Sequence, residues 1–176
     1  MQRFIVMVGP AGSGKTALTD ALASVIEGYG AQVARVNFDP AAETLPYNPD
    51  VDVRNYVTVR SLIEEAGLGP NGALIAAVDM LINYAGQLRE EVESFEADYV
   101  IIDTPGQMEL FAFRIGGPIV LNAVIQDDPA ATVFLIDPSM IEPASNLVSA
   151  FTLASSVAVR LRLPQVNVFS KADMII

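Results

Sequence analysis

Glycine, lysine and a hydroxyl stand at fixed spacing in GPAGSGKT, residues Gly9 to Thr16. The pattern is G-x-x-x-x-G-K-S/T, and its chemistry is phosphate binding. The glycines allow a tight backbone that turns successive N–H groups inward on phosphate oxygens, the lysine reaches the β- and γ-phosphates, and the hydroxyl meets magnesium. Gly12, Ser13, Gly14, Lys15, Thr16 and Ala17 are therefore the expected phosphate contacts, with Thr16 also a metal ligand. A glycine turn without function is the alternative. The flanks argue against it, because an apolar run, Phe4 to Val8, precedes the loop and a helical pattern follows.

Two further segments follow in the order a nucleotide hydrolase needs. YVIID ends in Asp103 and opens DTPGQ, a carboxylate leaving a strand where open α/β sheets place ligands. Asp103 is expected to hold magnesium directly or through water. The Gly106 N–H is expected to sense a γ-phosphate, and Gln107 sits where a water-orienting amide is useful. SKAD, Ser170 to Asp173, follows the last strand-like run. Asp173 can accept the guanine N1–H and N2–H2 pair that adenine lacks, while the stem of Lys171 covers the base. SKAD is weak alone, and its position carries the argument. Asp39, in VNFDPAAE, also follows a strand-like run and could bind magnesium-bound water or orient the attacking water, although an Asp-Pro turn explains it equally well. Pro40, Pro46 and Pro49 stiffen the loop from Asp39 to Asp50. Together the segments read as a guanine-nucleotide site.

The elements that must position these groups are legible as alternation. Phe4 to Val8, Gln32 to Phe38, Tyr99 to Ile102, Thr132 to Ile136 and Val166 to Phe169 are short, mostly apolar runs, as expected of strands covered on both faces of a mainly parallel sheet. Ala17, Leu18, Ala21, Leu22, Val25 and Ile26 predict one apolar helix face, closed by Gly28 and Gly30. Leu74, Val78, Leu81, Ala85, Leu88, Val92 and Phe95 recur in steps of four and three, which predicts a long helix. Its seam packs either on the chain's own core or additionally on a second copy.

Composition sets limits. The 176 residues are 52% hydrophobic, which suits one domain over 1–176. A net charge of −11 argues against nucleic acid as a partner, whereas a small polyphosphate held by backbone N–H groups stays compatible. With no Cys and no His, zinc sites, disulfides and His-based triads are excluded, so any metal sits on oxygen. The uncharged stretch Pro143 to Val159 is shorter than the roughly 20 apolar residues of a membrane span and predicts a buried helix. No membrane partner is expected, and because the apolar start, Phe4 to Val8, is too short for a secretory core, a cytoplasmic location is the default expectation.

GPAGSGKT, NFDPAAE, GLGPNGA at Gly67 to Ala73, DTPGQME and SKAD occur in the order and approximate spacing of the GPN-loop GTPases, which this chain resembles over nearly its whole length. The tripeptide Gly69-Pro70-Asn71 is the most specific item. The resemblance implies a three-layer P-loop NTPase fold with a mainly parallel central sheet, and Mg²⁺-dependent hydrolysis of GTP to GDP. It also implies a homodimer in which the Gly69-Pro70-Asn71 loop enters the partner's site. In that frame Lys15, Asp39, Gln107 and Asn71 look like the catalytic set, and a protein client is implied, with eukaryotic relatives assisting RNA polymerase assembly and nuclear import. From residue physics alone, Asn71 reads instead as the N-cap of the long helix. Pro10 stands where related MinD and arsenite-pump ATPases carry a signature lysine, and no arginine among Arg35, Arg54, Arg60, Arg89 and Arg114 is marked as a finger. The family continues beyond the point matching Asp173, so the ending Met174-Ile175-Ile176 reads as an element cut short. A P-loop kinase and a nucleotide-sensing module without hydrolysis are the rival readings.

Overall fold

In the computed structural model, which describes residues 1–174, six parallel strands form one sheet in the order β3-β2-β4-β1-β5-β6. The strands are β1 (Arg3–Val8), β2 (Val33–Asn37), β3 (Val51–Asp52), β4 (Tyr99–Asp103), β5 (Ala130–Ile136) and β6 (Gln165–Phe169). The five expected strands are all present, and β3 is the addition. At two residues it is too short to show a period. Ile175 and Ile176, most of the expected cut-short ending, lie outside the described residues.

Side chains on the inner strands alternate between two apolar clusters, as the period of two demands. Phe4, Val6, Val8, Val100, Ile102, Phe134 and Ile136 belong to the larger cluster, while Met7, Ile101 and Leu135 belong to the smaller one. The smaller cluster is roofed by α1 (Lys15–Gly28) through Ala23, Leu18, Leu22 and Ile26. The larger is roofed by the other helices: α2 (Val59–Ala66), α3 (Pro70–Met80), α4 (Ala85–Ser94), α5 (Met108–Ala112), α6 (Gly116–Ile125) and α7 (Ala144–Leu161). Helices on both faces of a parallel sheet make the three layers.

Three helix readings are corrected. The buried stripe of α1 runs through Lys15, Thr19 and Ala23, with Leu18, Leu22 and Ile26 beside it, so Ala17, Ala21 and Val25 face solvent. Lys15 sets that rotation, because its backbone belongs to the phosphate loop. The predicted long helix is α3, a short 3₁₀ segment Leu81–Tyr84 and α4 in succession. Its seam is consumed internally: Leu74, Val78, Leu81, Ala85, Leu88 and Val92 are buried, largely against α6, and only Phe95 is exposed. Helix α7 is one-sided rather than buried. Ala150, Ala154, Val157 and Leu161 are sealed, while Val148, Phe151 and Val159 are exposed. By length and composition α7 passes as a membrane span, in contrast to the expectation from Pro143 to Val159. Its buried stripe nonetheless lies in the main core.

Candidate functional site

The strand register brings the motifs to one edge. Asp103, the last residue of β4, lies abreast of Met7 on β1 and of Asn37 on β2. Phe134 on β5 is abreast of Val8, and Phe169 closes β6 beside Ile136. The phosphate loop, the Asp39 loop, DTPGQ, Asp137 and SKAD therefore all leave the sheet at its carboxyl rim. The neighbouring strands β1 and β4 send their chains in opposite lateral directions there, to α1 and β2 on one side and across to β5 on the other, which is the crevice where such sheets bind ligands.

A cleft of about 360 Å³ occupies this rim, lined by Gly12, Gly14, Lys15, Thr16, Ala17, Asp39, Pro46, Thr104 and Gly106. A larger hollow of about 540 Å³ lies on the far side of the same loop, between Pro40 to Glu43 and the first turns of α2. It holds none of the motif groups apart from the Asp39 loop's own flank, so the smaller cleft is the chemical one. Gly12 and Gly14 adopt positive φ of 74° and 94°, a backbone that bears no Cβ comfortably, and Gly14 delivers the chain directly into the positive end of α1. Gly9 is pressed so closely on Leu135 that a Cβ would lie 3.0 Å from its carbonyl oxygen. Ser13 is buried, and its hydroxyl has no partner.

The Lys15 ammonium is folded onto its own loop, donating to Gly9 O at 2.8 Å and Pro10 O at 2.9 Å, and the residue is only 4% exposed. Burial lowers its pKa, opposed by the carboxylates of Asp103, Asp39 and Glu109. Burial in turn holds Asp103 above the usual carboxylate range, against the hydroxyls of Thr16 and Tyr47 and the Lys15 charge. Asp39 is raised for the same reason, with the N–H groups of Ala41 and Gly106 and the charges of Lys15 and Arg54 pulling it down. The Ala41 N–H lies 2.8 Å from Asp39 Oδ1. Two carboxylates raised by burial, one with a buried orphan oxygen, Asp103 Oδ1, form a donor set that a hard divalent cation satisfies. No group of three or more acidic side chains suited to a metal occurs among the described residues, so hydroxyl and phosphate oxygens are needed to complete such a shell.

SKAD is tied to this cleft by Lys171, whose ammonium donates to Gly12 O at 2.6 Å and to Asp137 Oδ2 at 2.9 Å. Ser170 is anchored by its N–H and hydroxyl to Ile136 O, at 3.0 and 3.2 Å. Asp173 stands exposed in the 3₁₀ turn Ala172–Met174 beyond them. Gln107 is exposed at the start of α5, outside the residues lining the cleft. Gly69, Pro70 and Asn71 are exposed and likewise do not line the chain's own cleft. The capping expectation for Asn71 is wrong: Gly69 is the N-cap and Pro70 the first helical residue, a position proline favours because it needs no N–H there. No arginine lines the cleft among the described residues.

Several groups that build the site escaped the sequence reading. Asp137 follows directly on β5 much as Asp103 closes β4, so the strand-end rule applied to Asp103 could have found it. Tyr47 donates its hydroxyl to Asp103 Oδ2 at 3.2 Å. Arg54 grips Asp52 with contacts of 2.6 to 3.0 Å and Ala42 O at 2.9 Å, while Asn37 bridges Asp52 and the backbone of Asp39. Thr104 fastens DTPGQ to β1 through Met7 O at 2.6 Å. Besides Asp137, only Tyr47 carried a local signal, an aromatic in a proline-rich loop.

A family model described as "Conserved hypothetical ATP binding protein" matches residues 7–176. GPN-loop GTPase 3 of Dictyostelium discoideum is 37% identical over 171 residues, which cover 97% of this chain and 60% of that protein. GPN-loop GTPase 3 of Saccharomyces cerevisiae is 37% identical over 179 residues, covering 99% and 65%. The chain thus spans less than two thirds of these relatives. The apo crystal structure of a GTPase from Pyrococcus abyssi matches with a TM-score of 0.88 at 34% identity, covering 98% of this chain and 68% of that one. The MinD cell division protein of Aquifex aeolicus, 18% identical with a TM-score of 0.51, shares the fold. A near-complete family match, sequence relatives that agree with one another and a close structural counterpart all point the same way: the chain belongs to the GPN-loop GTPase family.

Proposed function

We propose that this protein binds GTP with Mg²⁺ and hydrolyses it to GDP and phosphate, acting as a homodimeric switch on a protein client. The observation that carries the reading is the meeting of Lys15, Thr16 and Asp39 around one cleft, with Asp103 buried beside Lys15 and Thr16 and SKAD tied to the rim by Lys171. In this reading Lys15 exchanges its two loop carbonyls for phosphate oxygens, and the loop N–H groups with the α1 N-terminus hold the remaining charge. Thr16 and Asp103 hold the cation, with Asp39 close behind. A Mg²⁺ ion held by these residues would supply positive charge that offsets the charge on the phosphate oxygens. Asp39 or Gln107 orients the attacking water.

Asn71 belongs to the same proposal. It is exposed, caps nothing and is absent from its own cleft, which suits a group offered to a partner's site. Asp173 supplies the preference for guanine, in keeping with the names of the two GPN-loop relatives rather than with the ATP of the family model's description. A cytoplasmic location, where GTP is available, completes the reading. The client is of the RNA polymerase-related kind that the family resemblance implies.

The test is steady-state turnover of GTP and ATP with Mg²⁺ by the parent, Lys15→Ala and Asp39→Ala. The parent is expected to prefer GTP, and each variant to lose about 100-fold or more in kcat/KM, the scale of removing one group that stabilises transition-state charge. Equal slow turnover in all three contradicts the enzyme reading. Tight GTP binding without turnover leaves the sensing module, and turnover accelerated by an acceptor other than water leaves the kinase.

A further inference from the structure

The loop from Asp39 to Asp50 is pinned at both ends. At its start, Asn37 Oδ1 accepts from the Asp39 N–H at 3.0 Å and Arg54 donates to Ala42 O at 2.9 Å. Near its end Tyr47 turns inward, 8% exposed, and places its hydroxyl 3.2 Å from Asp103 Oδ2. A ring meant only to fill space between Pro46 and Pro49 has no use for that hydroxyl, since phenylalanine has the same contour. What the hydroxyl touches is the carboxylate that ends β4.

We propose that Tyr47 is a positioning residue for the magnesium carboxylate, holding Asp103 Oδ2 so that Oδ1 stays free for the cation and latching the Asp39 loop to the metal site. This rests on the GTP·Mg²⁺ reading above. A strand-end carboxylate can rotate about its last bond, and a hydrogen bond to one oxygen removes that freedom and decides which lone pairs are available. Oδ1 is the buried oxygen without a partner. Pro46, the residue before Tyr47, is one of the residues lining the cleft. Loss of the hydroxyl therefore reaches metal affinity first, and nucleotide affinity only through the metal.

The experiment uses the whole chain and the fluorescent analogue N-methylanthraniloyl-GDP. Binding is measured in EDTA and then during titration with MgCl₂, for the parent, Tyr47→Phe and Tyr47→Ala. Binding in EDTA reports the phosphate-loop and base contacts without the metal and fixes the folded fraction of each variant, so the magnesium midpoint is read only on folded protein. Tyr47→Phe is expected to bind the analogue in EDTA as the parent does, with its magnesium midpoint raised about 10-fold, the usual scale for losing a group that orients a metal ligand. Tyr47→Ala is expected to raise it at least as far. A Tyr47→Phe midpoint equal to the parent's, in a parent that responds to magnesium, overturns the role of Tyr47 alone. A parent whose bound analogue ignores magnesium overturns the GTP·Mg²⁺ reading, and this proposal with it.

Discussion

Arg54 divides its guanidinium between Asp52, which it grips in a fork, and the carbonyls of Ala42 and Glu43 in the Asp39 loop. Burial alone would raise the Asp52 pKa, but the Arg54 and Asn37 hydrogen bonds outweigh it and hold the group below its usual value. A carboxylate depressed in the fold contributes stability that is present above its unfolded pKa of about 3.9 and is lost as pH falls through the lower folded value. Asp52→Asn is therefore expected to cost about 1–3 kcal/mol at pH 7 and to lose less than the parent on going below about pH 4, read from denaturant midpoints at both pH values. Asp173→Asn addresses a different property. It is expected to cut the preference for GTP over ATP by about 100-fold while leaving binding of inorganic polyphosphate unchanged, in competition assays. These two residues also mark what the chain discloses at this scale. Asp173 is reached through the place of SKAD after the last strand-like run, because the four residues are weak alone. Asp52 and Arg54 are two positions apart with no local pattern, and their use depends on β3 pairing with β2, which no periodicity announces.

Among elements, the succession α3, 3₁₀ segment and α4 explains why the seam was visible and its role was not. Steps of four and three fix a helical stripe, but the stripe is equally suited to a neighbour inside the chain or to a second copy. Here α6 takes it, and the start of α6 is also pressed closely on α5. A Cβ at Gly117 would lie 2.2 Å from Phe111 O, a backbone atom that cannot step aside. Gly117→Ala is expected to destabilise by about 1–3 kcal/mol through overpacking against α5, and Leu88→Ala by about 2–5 kcal/mol through the cavity it leaves between α4 and α6. Gly28→Ala, with open space around it, is the control expected to stay close to the parent in thermal melts. The strands were the more legible elements, because short β-rich runs between turn residues leave few alternatives. The rotation of α1 was not, since the phosphate loop rather than the apolar pattern aims Lys15 inward.

For the molecule as a whole, six parallel strands carry five separate sequence segments to one rim, and most of the binding site is a consequence of that register. The rest of the surface is uneven. Helix α7 and edge strand β6 leave Val148, Phe151, Val159, Val166 and Phe169 exposed, in a chain that spans 60% of its Dictyostelium relative. A ligand that binds only the folded state stabilises it by mass action, so GTP with Mg²⁺ at 100 times its Kd is expected to add about 2.7 kcal/mol, with ATP at the same concentration adding far less. The most direct test is a crystal structure with a non-hydrolysable GTP analogue and Mg²⁺. One nucleotide is expected in the rim cleft, with Lys15 on its phosphates, Thr16 and Asp103 at the cation and Asp173 on guanine. A nucleotide bound elsewhere, or one whose phosphates touch neither Lys15 nor a cation held by Asp103, would contradict it.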